Sequence, residues 1–169
     1  MSEYRRSDSV AASKEALPQD RYSAQVKKTK YSKSAKGYPM VTLSCEIYSP
    51  EKVAGLEGEV FTAGKSFNLY LMFVPEADWG LTRVFEFADK VCISLPEALD
   101  PETDHGLFKN LAFDAIVGSG EEAFKKYMAG PKKGEFILDG EGKKISNGFY
   151  AQCNLQDVIG PASVAAPVY

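Results

Sequence analysis

Apolar side chains recur at every second position in several separate stretches of this chain, and that spacing admits little except β-strand. Tyr22, Ala24 and Val26 alternate with Ser23, Gln25, Lys27 and Thr29. Val41, Leu43, Cys45 and Ile47 alternate with Thr42, Ser44, Glu46 and Tyr48. Phe67, Leu69, Leu71 and Phe73 alternate with Asn68, Tyr70 and Met72, and Phe149, Ala151, Cys153 and Leu155 with Tyr150, Gln152, Asn154 and Gln156. Each stretch therefore has one dry and one wet face. The segment Lys33-Ser34-Ala35-Lys36-Gly37 joins the first two strands into a hairpin, and Pro39 opens the second, where a missing N–H costs least. Gly58 and Gly64 mark a turn or bulge on the way into the third.

The middle of the chain changes period. Leu81, Val84, Phe85, Ala88, Val91 and Cys92 recur at three and four, which predicts a helix beginning near Thr82. Pro96 and Pro101 interrupt it, and Leu107, Leu111, Ile116 and Val117 suggest a second short helix ending near Gly118. Ser119-Gly120-Glu121-Glu122 has capping-box spacing and predicts a helix over 123–128, stopped by Gly130-Pro131. Strand character returns at Phe136-Ile137-Leu138, followed by a polar turn from Asp139 to Lys144.

The expectation is a mainly β fold with a helical insert (α+β). It is a five-stranded, OB-fold-like Greek-key barrel with the helices between strands three and four. Phe61, Phe67, Phe73, Phe85, Phe113 and Phe124 are expected in its core. One domain spans residues 20–159, with flexible tails at 1–19 and 160–169.

Charge is unevenly placed. Through residue 50 there are nine Lys and Arg against five Asp and Glu; the remainder has eleven against eighteen, for a total of −3. Residues 21–45 hold Arg21, Lys27, Lys28, Lys30, Lys33 and Lys36, no acid, and Tyr22, Tyr31 and Tyr38. Lysines meet phosphates and flat rings stack on unpaired bases, so this segment is a candidate grip on a nucleic-acid strand. The competing reading is an edge hairpin kept soluble by lysine. Tyr31, Tyr38, Tyr48, Tyr70 and Tyr150 fall on polar faces or loops and are candidates for stacking; Trp79 either caps the barrel or stacks, and capping is the expected role.

Other chemistries find little support. Cys45, Cys92 and Cys153 are widely spaced among apolar neighbours, which suits free buried thiols rather than a zinc or redox site. His105 is the single histidine, so no Ser-His-Asp or Cys-His set arises without it. There is no phosphate-binding Gly-rich loop and no dinucleotide fingerprint. Asp139 and Glu141 lack an EF-hand pattern and read as a hairpin turn; Asp100, Glu102 and Asp104 read as a solvated loop. The chain is thus expected to be no enzyme and to need no metal or cofactor. The polar start, without the apolar core of a signal peptide, and the absence of a long apolar run predict an intracellular protein with no membrane partner.

The hairpin Tyr22-Ser23-Ala24-Gln25-Val26, its basic turn, and Lys36-Gly37-Tyr38-Pro39-Met40-Val41-Thr42-Leu43-Ser44-Cys45-Glu46-Ile47 resemble the opening hairpin of small phage OB-fold proteins. That family comprises single-stranded-DNA-binding proteins of phage replication and recombination modules. The helical insert and the closing Gly148-Phe149-Tyr150-Ala151 match in order, so the resemblance covers about residues 21–158. It implies a phage-encoded, non-catalytic protein in the cytoplasm of a bacterial host. Lys27, Lys28, Lys30, Lys33 and Lys36 would track phosphates, and Tyr31, Tyr38 and Tyr70 would stack bases. Single-stranded DNA is the expected partner, with RNA left open because no feature reads a 2′-hydroxyl. Replication or recombination proteins and further copies of the chain are the other expected partners. Many such proteins end in an acidic tail, whereas here no Asp or Glu follows Asp157. The alternative is a phage structural or assembly protein, or a protein that inhibits a host defence, with the basic hairpin meeting an acidic partner.

Overall fold

The computed structural model describes residues 17–55 and 58–167. The first two strands form the expected hairpin: β1 runs Asp20–Lys33 and β2 Pro39–Ser49. A short two-stranded sheet follows, β3 (Lys52–Ala54) with β4 (Glu59–Phe61), and then β5 (Ser66–Met72). The helical insert comprises α1 (Leu81–Lys90), the single turn α2 (Pro101–Asp104) and a 3₁₀ turn at His105–Phe108. Then come β6 (Ala112–Phe124), β7 (Ser146–Gln152) and β8 (Val158–Pro161). The fold is mainly β, and every strand pairing among the described residues is antiparallel.

The main sheet has the order β5-β2-β1-β6-β7, with β8 also paired to β6. Long β1 is the hinge of this order, pairing with β2 along most of its length and with β6 through Asp20–Gln25. β5 and β7 end the path, and no ladder joins them among the described residues, so the sheet does not close into the expected barrel.

The dry faces of β2 and β5, and of β1 as far as Val26, meet as the alternation requires, whereas Phe149 of β7 is exposed. Val26, Val41, Leu43, Ile47, Leu69, Leu71 and Phe113 are buried, and α1 lays Val84 and Phe87 over them, with Val91 just past its end. Phe113 is the junction: its ring meets Phe67 edge-on at 6.3 Å and Phe87 at 6.2 Å. The residue that α1 turns inward is Phe87, not Phe85, because 84, 87, 88 and 91 form the buried stripe and leave Phe85 exposed. Phe61, on the small β3–β4 sheet, is also exposed rather than core, and Phe124 is only half-buried.

The largest correction lies at 107–128. Only His105–Phe108 turns helically; from Ala112 the chain is a 13-residue strand that runs through both the expected second helix and the capping box. Tertiary pairing overrides local preference here. Ser119 stands opposite Ala151 in the ladder with β7, and its hydroxyl donates to the Leu17 carbonyl instead of capping a helix. Phe113, Ala115 and Val117 are buried in alternation, a period-two signal beneath the helical one. The expected strand at Phe136–Leu138 reduces to two isolated bridges, Lys126 with Phe136 and Leu138 with Lys144.

Residues 1–16 lie outside the described residues, but Leu17 is buried in the core. The proposed start of the second tail, Gly160, falls within β8, opposite Asp114. Beyond it, the Ser163 amide donates to Asp114 at 3.2 Å and the Tyr48 hydroxyl donates to the Val164 carbonyl.

Cys92 is exposed, contrary to expectation, and has φ 60°. It stands just past the C-terminus of α1, where Ile93 N–H bonds the Ala88 carbonyl and Cys92 N–H that of Asp89. This is the crossed pair of bonds that glycine usually completes. Cys92→Gly should therefore raise stability by roughly 1 kcal/mol, read as a higher urea midpoint at unchanged slope. Cys45 and Cys153 are buried as expected, and burial pushes their thiols up, that of Cys153 to about 12.

Candidate nucleic-acid interface

The wet face of the β1–β2–β5 sheet is organised by one extra residue. Val26 pairs with Cys45 and Lys28 with the adjacent Ser44, so Lys27 is a bulge. Strict alternation from Val26 would point Lys28 and Lys30 into the core. The bulge swaps the faces and turns both lysines out to solvent, while Thr29 and Tyr31 stand opposite the buried Leu43 and Val41.

Two cross-sheet rows result. Lys30 pairs with Thr42, which pairs with Tyr70; Lys28 pairs with Ser44, which pairs with Asn68. Directly opposite residues in antiparallel strands share a face, so two cations, two hydroxyls, an amide and an exposed aromatic ring form one surface. Tyr70 is 52% exposed.

The other expected site residues divide. Lys33 and Lys36 are exposed at the hairpin tip, away from the two rows. Tyr38 is at the same tip, 37% exposed, with its ring against Trp79. Lys27 is half-buried, and its ammonium donates to Gln25 Oε1 at 3.0 Å. Tyr31 does not join the surface: it packs against the core from the opposite face. His105 lies on that inner side too, with Nδ1 2.7 Å from Thr29 Oγ1, which ties the insert to β1. Tyr48 is held by its bond to Val164.

Arg21 also leaves the basic set. Its guanidinium is committed to Asp114, with Nε at 2.8 Å and a terminal nitrogen at 2.7 Å from Oδ2. Asp114 is fully buried and also accepts from the Ser23 hydroxyl and the Ser163 amide. Burial works to raise this carboxyl, but the bonds from Ser163, Ser23 and Arg21 outweigh it and hold the pKa below the usual carboxylate range.

Beside the two rows, the gap between the sheet's ends forms a cleft of about 500 Å³. Tyr70 and Asn68 line it from β5, and Tyr150 and Gln152 from β7. Tyr150 is 63% exposed and also borders a second hollow with Phe124, Lys125 and Lys126. Lys125 and Lys126 belong to the β6–β7 connection, where they, Lys132, Lys133, Lys143 and Lys144 stand among three acids. Lys144 lies 3.9 Å from the centre of the Phe136 ring and Lys126 5.0 Å, so the arm is braced by cation–π contacts. This second lysine group was missed because a helix was expected across Lys125 and Lys126. The paired lysines at 125–126, 132–133 and 143–144 were its visible signal.

Among the described residues, no cluster of three or more His, Cys, Asp and Glu could hold a metal ion, and no helix is long and apolar enough to cross a membrane. Asp139 acts as a turn residue, its carboxylate accepting from the amides of Glu141 and Lys143. A scan against family models finds no match for the chain, and a search of curated proteins finds none either.

Proposed function

We propose that this chain is a non-catalytic module that binds single-stranded DNA across the outer face of β1, β2 and β5. The observation that carries the proposal is the shared face of Lys28, Lys30, Asn68 and Tyr70, beside the cleft that Tyr70 and Tyr150 line together. The lysines would meet phosphates, the tyrosines would stack bases, and Lys125 and Lys126 would receive the strand beyond Tyr150. The order β5-β2-β1-β6-β7, with helices between β5 and β6, supports an OB-type architecture left open between β5 and β7. In folds of that type the face of the second and third main strands is a common site for single strands.

The test is fluorescence anisotropy of a labelled oligo-dT of about thirty nucleotides, long enough for at least one footprint. Binding should be salt-sensitive and resist duplex competitor. Lys28→Ala with Lys30→Ala should flatten the slope of log K against log salt by about 1.4, from two lost phosphate contacts. No binding at low salt would overturn the proposal.

A second reading, a protein-docking module, has one observation in its favour. The β6–β7 arm exposes Met128 by 84% and also Leu138, apolar surface that a nucleic-acid backbone does not require. A phage assembly protein or an inhibitor of a host defence would fit that reading, and failure of the oligo-dT titration would favour it.

A further inference from the structure

We infer that Trp79 and Tyr38 form a base-stacking subsite at the tip of the β1–β2 hairpin. This inference rests on the single-strand reading and extends its track to a second aromatic platform. Trp79 is the chain's sole tryptophan, and it is 54% exposed instead of capping the core. Its ring centre lies 5.9 Å from that of Tyr38, with the planes inclined at 61°. Two rings held edge to face leave one ring face free to receive a third ring.

The subsite is built rather than loose. The Tyr38 backbone is anchored at both groups: its amide donates to the Ser34 hydroxyl at 3.1 Å, and its carbonyl accepts from the Ser34 amide at 2.9 Å. Phe73 N–H bonds the Pro39 carbonyl, which docks the end of β5 against the tip. The turn carrying Trp79 is tied down on its far side by Leu81 N–H to Val74 carbonyl, and Gly80 sits so close to Val74 that a Cβ would lie 2.3 Å from its carbonyl oxygen. With the backbone on both sides held and the two rings in contact, less freedom is lost on binding, so more of the stacking energy appears as affinity.

Charge sets the direction of approach. Lys33 and Lys36 are exposed on the hairpin side, whereas Glu76 and Asp78 are exposed on the Trp79 turn. Phosphates belong on the lysine side, with the base turned toward Trp79. The occupant is therefore an unpaired base; a duplex, with its bases stacked and paired, offers no ring to this subsite.

The wild-type protein supplies the test, because its tryptophan emission reports on one position. Oligo-dT of about thirty nucleotides should quench Trp79 emission over the same concentration range that raises the anisotropy of labelled oligo. Trp79→Leu and, separately, Tyr38→Ala should each weaken binding by about 5- to 150-fold. Normal oligo-dT binding with unmoved emission and unweakened variants would overturn the subsite and leave the single-strand reading intact. No binding by the wild type would remove both.

Discussion

Arg21→Met should destabilise the protein by about 3 kcal/mol at pH 7, the lower end of the range for breaking a buried ion pair. The lower end applies because Arg21 itself is half exposed and screened by solvent, whereas Asp114 is buried. Without Arg21, the Asp114 carboxylate keeps only the Ser23 hydroxyl and the Ser163 amide. For a chain of this size the loss corresponds to a fall in Tm of roughly 6–12 °C. Because the folded pKa of Asp114 is depressed, its contribution is present above the unfolded value, about 3.9, and is lost as pH falls through the folded value. The gap between wild type and variant should accordingly be widest near neutral pH and narrow in acid, where Asp114 is protonated in both. Thermal unfolding at pH 7 and at progressively lower pH measures it. A gap that stayed constant with pH would mean that Arg21 acts through packing rather than through this charge.

Tyr70→Ala and Tyr150→Ala should each weaken single-strand binding by about 1–3 kcal/mol, without changing the salt slope. The rings carry no charge, so counterion release is untouched; this separates them from the lysine variants. Both side chains are more than half exposed, so the fold should tolerate their loss. The double variant should depart from additivity, since the two rings line one cleft. Anisotropy titrations at two salt concentrations check all three variants. Affinity unchanged in the double variant would move the binding surface away from the β5–β7 cleft.

The first hairpin was legible because its apolar period holds through Val26 in β1 and along β2, and its turn is short. The basic, tyrosine-bearing character of that hairpin was legible too, from spacing alone. Which of its side chains share a surface was not. Strict alternation carried past Val26 would bury Lys28 and Lys30; the Lys27 bulge, visible only once β1 is registered against β2, turns them out and sends Tyr31 inward. Arg21 counted in the basic charge of the segment until pairing of β1 with β6 brought Ser23 opposite Asp114 and placed the guanidinium on its carboxylate.

The sequence by itself determined a mainly β chain with a helical insert and a basic, aromatic first hairpin, because period and charge are local properties. The tertiary structure decided that residues 112–124 are strand, since β1, β7 and β8 provide partners there that favour the period-two signal of Phe113, Ala115 and Val117 over the local capping signal. It alone brought Tyr70 beside Tyr150, 80 residues apart in the chain, at the two unjoined ends of the sheet. Register and long-range pairing are properties of the whole sheet, and no single stretch of the chain contains them.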